Sequence, residues 1–159
     1  FVGVVSTWNE AAPCNINLMK QAQFVKQGVN SSGGTPREFC TITVTDGIAM
    51  GHEGMKSSLI SRDVIADSTE LTVRGHCYDA LVGIAGCDKS LPGLMMSMLR
   101  LNVPSVFIYG GSILPGKYKG KDVTVVDVFE AVGKHSSGSM SLDELRELEL
   151  VACPSAGAC

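Results

Sequence analysis

Short apolar segments alternate along the chain with longer amphipathic segments, and this alternation predicts an α/β fold. Apolar runs predict strands at residues 1–6, from Ala80 to the residue before Cys87, and at 105–109. Alternating apolar and polar positions predict a further strand at 39–44. Because helical segments separate these strands, we expect a largely parallel sheet with helices on both faces.

Signals for helix ends support this interpretation. Asn15 stands where it could cap a first helix, and a second helix is predicted from Ser61 to Gly75, where the glycine ends it. A methionine-rich helix from Leu94 to Leu101 has no polar face, so we expect it to be buried on most sides.

The last third of the chain predicts a loop and two helices. The basic segment 115–121 is predicted to be a surface loop. Capping-box patterns at 124–127 and 141–144 predict helices at 128–135 and 145–151.

Composition limits the classes of protein that fit. The 159 residues are 45% hydrophobic and 18% charged, which suits one domain with an ordinary core. A net charge of -3 and the lack of a membrane-length apolar run favour neither a nucleic acid nor a membrane as partner. Six cysteines are too sparse for a disulfide scaffold, so we expect reduced thiols in an intracellular compartment, with Cys40 packed in the core.

Chemically useful side chains follow the predicted strands. Cys14 follows the first strand and Asp46 follows the second, while Cys87, Asp88 and Lys89 follow the strand that begins at Ala80. Since the carboxyl ends of parallel strands meet at one edge of a sheet, we expect these residues to share a pocket there.

The residue types favour metals, although their spacing does not prove a metal site. Cys14, Cys87 and Cys159 all lie in predicted loops, where soft thiolates can bind iron–sulfur clusters, zinc or copper. Asp46 and Asp88 offer the hard oxygens that magnesium prefers. Their spacings match no short cluster signature, so a zinc site and purely structural cysteines stay open at this point.

Five segments of the chain resemble the dihydroxy-acid dehydratase family. They are Ala12–Asn15, Asp46–Met55, Ser61–Asp67, Gly86–Gly93 and Tyr109–Gly116. The resemblance extends over essentially the whole chain. It implies the amino-terminal part of a two-domain hydro-lyase that converts 2,3-dihydroxy-3-methyl acids, such as 2,3-dihydroxyisovalerate, to 2-oxo acids in valine and isoleucine biosynthesis.

The resemblance also implies a ligand set and a working context. Its iron–sulfur ligands correspond to Cys14, Cys87 and Cys159, and its magnesium ligands to Asp46, Asp88 and a carbamylated Lys89. A [2Fe–2S] cluster is favoured over [4Fe–4S], with three cysteines leaving one iron open to the substrate. The expected partners are a dihydroxy-acid substrate and a second subunit in a homodimer. The expected location is the bacterial cytoplasm, a mitochondrion or a plastid.

By the same resemblance, residues 1–159 form a partial iron–sulfur and magnesium-binding α/β domain, without the carboxy-terminal domain. The base and another magnesium ligand are expected in that missing part, so no catalytic base is assigned here. We expect these residues alone to be inactive and unable to keep a cluster, because chain termini fray and Cys159 is terminal.

Two other functions compete with this one. A sugar-acid dehydratase of the same superfamily fits less well, since those relatives tend to carry Asn where this chain has Gly86. A non-catalytic metal-binding or nucleotide-binding module could use residues 110–112 as a phosphate loop. That loop lacks the ordered glycine patterns of known nucleotide-binding motifs.

Overall fold

Four parallel strands form the central sheet in a computed structural model, which describes residues 1–158. The spatial order is β2-β1-β3-β4, and Ser6 in β1 lies in register between Cys40 and Ile84. The strands are β1 (Val2–Ser6), β2 (Pro36–Cys40), β3 (Ala80–Ala85) and β4 (Ser105–Tyr109). The predicted parallel α/β architecture is therefore confirmed.

Helices cover both faces of this sheet. The helices that pack on it are α1 (Leu18–Ser31), α3 (Met55–Gly75) and α4 (Ser90–Leu101); the chain also forms α2 (Asp46–Ala49), α5 (Val125–Ser136) and α6 (Leu142–Ala152). Helix α1 packs Leu18 and Ala22 against Val4 and Ile84 on one face. Because side chains alternate along a strand, the neighbouring positions of β1 and β3 point to the opposite face, where α3 and α4 pack.

The connections leave a crevice at the carboxyl edge of the sheet. Strands β1 and β3 are neighbours, but the chain leaves β1 toward α1 on one face and leaves β3 toward α4 on the other. Such a point, where the strand order reverses, is where open α/β sheets bind ligands. Cys14 follows β1 and Cys87 follows β3, so both thiols are delivered to this crevice.

Several predicted boundaries are wrong. Helix α1 begins at Leu18 and not directly after a cap at Asn15, α3 begins at Met55 and not at Ser61, and α4 begins at Ser90 and not at Leu94. Helix α4 is also less buried than its composition suggests, because the outward-facing Leu99 is 82% exposed among the described residues.

The second predicted strand is shifted toward the amino terminus. It ends at Cys40, and residues 41–45 are irregular up to the one-turn helix α2. The core position expected for Cys40 is wrong, because this thiol lies exposed at the end of an edge strand.

A small unit with its own core follows the sheet. The predicted surface loop is an antiparallel hairpin of β5 (Gly116–Tyr118) and β6 (Lys121–Val123). Its two turn residues, Lys119 and Gly120, have φ values of 48° and 79°, as tight hairpin turns require. Both capping boxes are confirmed at α5 and α6. Among the described residues, no helix combines the length and apolar character needed to cross a bilayer.

Candidate metal centre

The loops after β1, β2 and β3 meet in one pocket of about 210 Å³ at the carboxyl edge of the sheet. Cys14, Asp46, Cys87 and Asp88 line this pocket, and Lys89 bonds to both carboxylates. The expectation of a shared pocket is confirmed for Cys14, Asp46, Cys87 and Asp88, while Lys89 joins them through its ion pairs. Their roles as ligands stay predictions.

The sulfur side of the pocket is buried. Cys14 and Cys87 are each 5% exposed and pack with Ala12 in one small cluster. The pKa of Cys87 falls from 9.0 to about 6, chiefly because the Cys14 thiol donates a hydrogen bond to it. Burial acts in the opposite direction but is outweighed, with further help from backbone groups and the Thr45 hydroxyl. A thiolate is the form that binds metal, so this environment suits a soft metal.

The oxygen side is an ion-paired triad. The Lys89 ammonium donates to Asp46 Oδ2 at 2.9 Å and also to Asp88 Oδ2. The fully buried Ser58, on α3, donates its hydroxyl to the other oxygen of Asp46. Burial would raise the pKa of Asp46, but the hydrogen bonds from Ser58 and Lys89 lower it below its ordinary value. The pKa of Lys89 is raised, first by Asp88 and then by Asp46, so the ammonium is held charged.

A buried asparagine links the three loops that carry these groups. The Asn15 side chain is fully buried, and its Oδ1 accepts a hydrogen bond from the Gly86 amide at 3.1 Å. Its Nδ2 donates to the Thr43 hydroxyl at 2.9 Å. The predicted capping role of Asn15 is therefore wrong. This side chain instead holds the loop of Cys14 against the loops of Cys87 and Asp46.

Glycine is required at position 86 for a steric reason. A Cβ added there would lie 2.1 Å from the Cys14 carbonyl oxygen, far inside van der Waals contact. The end of β3 can approach the Cys14 loop this closely only because Gly86 has no side chain. A larger residue here would move Cys14 and Cys87 apart.

The end of the described chain is fastened beside Cys14. The Gly157 amide donates to the Pro13 carbonyl at 3.1 Å, and the Ala158 amide donates to the Gly111 carbonyl at 2.9 Å. Fraying, which we expected here, is thus opposed as far as Ala158. Cys159 lies outside the described residues, so its predicted role as a cluster ligand rests on the resemblance.

The donor set fits a mixed site for a soft and a hard metal. Two buried thiols face the pocket from one side, and a positive charge is already accommodated between two carboxylates on the other. Within residues 1–158, no group of three or more His, Cys, Asp or Glu side chains is close enough to hold a metal ion. A complete site therefore needs Lys89, or donors beyond the described residues.

Sequence reasoning missed two residues of this site, Ser58 and the bridging role of Asn15. Ser58 precedes Ile65 by two helical turns and so occupies the buried face of α3. A polar residue within an apolar helical stripe was the available signal. Nothing in the sequence shows that Asn15 bonds to Gly86, since the two lie 71 positions apart.

Two comparisons with known proteins, one with family models and one with individual relatives, agree with each other. The family model for the dihydroxy-acid/6-phosphogluconate dehydratase N-terminal region matches residues 1–159. Over 159 residues, all of this chain, the identity is 90% to a dihydroxy-acid dehydratase from Pelagibacter ubique and 81% to one from Parvibaculum lavamentivorans. It is 56% over 158 residues, 99% of the chain, to the dihydroxy-acid dehydratase of Metallosphaera sedula. The chain spans 28% of the length of each of these relatives.

Proposed function

The chain belongs to the dihydroxy-acid/6-phosphogluconate dehydratase family, and we propose that it is the metal-binding amino-terminal part of a dihydroxy-acid dehydratase. The whole enzyme would convert 2,3-dihydroxy-3-methyl acids to 2-oxo acids. The observation that carries this proposal is the convergence of two buried thiols and an aspartate–lysine–aspartate triad in one pocket. The relatives' names support the reaction.

The proposal assigns the ligands by position. Cys14, Cys87 and Cys159 would hold an iron–sulfur cluster, and Asp46, Asp88 and Lys89 would hold magnesium. When bound, these groups would supply Lewis acidity toward the substrate's 3-hydroxyl and toward its carboxylate and 2-hydroxyl. A homodimeric state and an intracellular location belong to the same proposal.

Lys89 must change its protonation state to serve as a ligand. A carbamate forms when a neutral amine adds carbon dioxide and loses a proton, whereas Asp46 and Asp88 hold Lys89 as an ammonium. A divalent cation shared by both carboxylates would compete with that ammonium for their negative charge. Carbamylation and magnesium binding are therefore coupled in this proposal.

The overall reaction removes one water molecule from the substrate. The proton leaves C2 and the hydroxyl leaves C3, which gives an enol that tautomerises to the 2-oxo acid. The chain's own contribution is to fix the two sets of donors on opposite sides of one pocket, through Asn15 and Ser58. We assign no general base within residues 1–159.

One observation weighs against a sugar acid as substrate. The resemblance implies that sugar-acid dehydratases tend to carry Asn at the position of Gly86, where in this structure even a Cβ would overlap the Cys14 carbonyl oxygen. The close approach of these two loops therefore depends on Gly86, and this supports a dihydroxy acid as the substrate in the proposal.

The test uses the full-length protein, prepared without oxygen. Turnover of 2,3-dihydroxyisovalerate with none of 6-phosphogluconate is expected, and the opposite preference would overturn the substrate assignment. Cys87→Ser should lose iron and visible absorption, whereas Cys77→Ser should keep both, since Cys77 is exposed at the end of α3. Full iron content in Cys87→Ser would remove Cys87 from the site.

A further inference from the structure

The two edge strands of the sheet are protected very differently. Strand β2 carries Pro36, Arg37 and Glu38, and Glu38 is ion-paired to Lys26 of α1 at 2.5 Å. Charges and proline on an edge strand discourage pairing with another strand. Strand β4 reads Ser-Val-Phe-Ile-Tyr and has neither a charge nor a proline. An apolar, unblocked edge of this kind is a site for strand addition.

The face of the sheet beneath α1 is covered only in part. Helix α1 bonds to β2 on one flank through Lys26 and reaches the end of β4 on the other through Gln21, which donates to the Gly110 carbonyl. Phe24 lies one helical turn from Gln21 on this second flank and is 71% exposed. Val106 of β4 points to the same face and is 58% exposed.

Parallel sheets are normally buried on both faces, but in the described residues the α1 face of β4 is covered only near Ile108, which packs against the core beneath α1. Helices α3 and α4 cover the opposite face, where Phe107 packs against the core. Among the described residues, the exposed side chains of Phe24 and Val106 therefore form an apolar strip that no other element covers. We use the term β4 border for this strip together with the unpaired edge of β4.

The strand order identifies what fits there. The order β2-β1-β3-β4 supplies the first four strands of the doubly wound 2-1-3-4-5 arrangement, in which the next parallel strand pairs with β4. In such folds, a helix after that strand returns over the face already occupied by α1. The β4 border offers both places, an edge for the strand and a strip for the helix.

We propose that a further parallel strand pairs with β4 and that a helix then covers Phe24 and Val106, both supplied by the remainder of the full-length protein. The relatives leave ample chain for this, since the present residues span 28% of their length. A second copy of the protein is the competing occupant. The proposal does not depend on the reaction catalysed, so it can fail while the proposed function stands.

The hydrogen-bond pattern of β4 identifies the amides that report on its edge. The Gly110 amide donates to Ala85 in β3. Because amides alternate in direction along a strand, those of Val106 and Ile108 also point to β3. The amides of Phe107 and Tyr109 therefore point to the free edge.

Strand β2 provides a matched internal control. The Thr41 amide donates to Ser6 in β1, so by the same alternation the amides of Glu38 and Cys40 point away from the sheet. They occupy the outer edge of the same sheet, but on the strand protected by charge.

Residue-resolved hydrogen exchange on the full-length wild-type protein tests the proposal. The Phe107 and Tyr109 amides should exchange at least roughly 100-fold more slowly than unstructured amides, because a paired edge exchanges only when the unit opens. Glu38 and Cys40 should exchange at nearly unstructured rates. Fast exchange at Phe107 and Tyr109 would overturn the proposal, and protection that disappears when the protein is diluted to monomers would assign the edge to a second copy.

A pair of variants tests the covering helix. Val106→Asp places a charge under the proposed helix, whereas the neighbouring Ser105→Asp places the same charge on an exposed position of the opposite face. In the full-length protein, we expect the thermal midpoint to fall by several degrees for Val106→Asp and to change little for Ser105→Asp. Equal midpoints for the two variants would refute a helix over Val106.

Discussion

Replacing Asn15 by alanine removes the side chain that joins the loops of the pocket. Asn15 is fully buried, and it accepts a hydrogen bond from the Gly86 amide and donates one to the Thr43 hydroxyl. Alanine offers neither partner. It therefore leaves a buried backbone amide without an acceptor at the residue before Cys87.

The magnitude follows from the two lost contacts. An unsatisfied buried amide costs about 1–3 kcal/mol, and a lost hydrogen bond between neutral side chains costs about 0.5–1.5 kcal/mol. We therefore expect local opening of the pocket to become easier by roughly 1.5–4.5 kcal/mol, which is a change of about 10- to 1,600-fold in the opening equilibrium at about 1.4 kcal/mol per tenfold. Because Cys14 and Cys87 lie in the loops that open, the protein should also retain less of the proposed cluster.

Hydrogen exchange of the Gly86 amide measures this opening in metal-free full-length protein, and iron content measures the consequence in the loaded protein. Asn9→Ala is the matched control, because Asn9 accepts a backbone hydrogen bond in the same loop but at the surface. That variant should exchange and bind iron like the wild type. If Asn15→Ala also kept wild-type exchange at Gly86, the bridging role of Asn15 would be refuted.

Four further predictions concern the proposed metal site. Ser58→Ala should weaken magnesium binding about 10- to 100-fold in a titration, because it removes the charge-assisted hydrogen bond to Asp46. Ser61→Ala is the control, because it removes a buried hydroxyl that donates to a backbone carbonyl, and it should leave magnesium binding unchanged. Lys89→Arg should abolish magnesium-dependent turnover but keep the cluster spectrum, since arginine cannot form a carbamate, and retained activity would exclude Lys89 as a ligand. Alkylation of Cys87 in the metal-free protein should rise through pH 6, and Cys14→Ala, which removes the hydrogen-bond donor, should move this midpoint upward. Since the folded pKa is depressed from 9.0 to about 6, this ionisation stabilises the folded state fully above pH 9, and the contribution declines as the pH falls and is lost below about 6. Residues 1–159 alone, reconstituted with iron and sulfide, should form no 2-oxo acid, and measurable turnover would contradict this.

The sequence was most informative where local chemistry decides the structure. The strand at 105–109 was predicted with its observed bounds, because an apolar run between Pro104 and Gly110 leaves little freedom. Both capping boxes were also predicted, since a hydroxyl and an acid three positions apart satisfy helix amides locally. The shared pocket followed from a topological rule, which needs only the strand positions.

Prediction failed where distant contacts compete with local preferences. Alternation continued to residue 44, yet β2 ends at Cys40 because Thr43 turns to meet the side chain of Asn15. The start of α1 moved for the same reason, because the capping candidate was engaged with Gly86. The exposed face of α4 shows another limit of prediction. An apolar composition indicates that a helix is buried, but it does not identify the element that covers it.

The two sides of the pocket differ in how firmly this chain holds them. Cys14 and Cys87 are buried and their loops are joined by Asn15, so the sulfur side would lose little freedom on binding the proposed cluster. The side chain of Asp88 is 64% exposed, whereas that of Lys89 is 15% exposed, so their ion pair is open to water on one side. Exposed ion pairs stabilise weakly and rearrange easily. In the proposed site, Asp88 is therefore the carboxylate that can most easily leave the Lys89 ammonium for a metal ion, whereas Asp46, whose side chain is 15% exposed, stays held by Lys89 and Ser58.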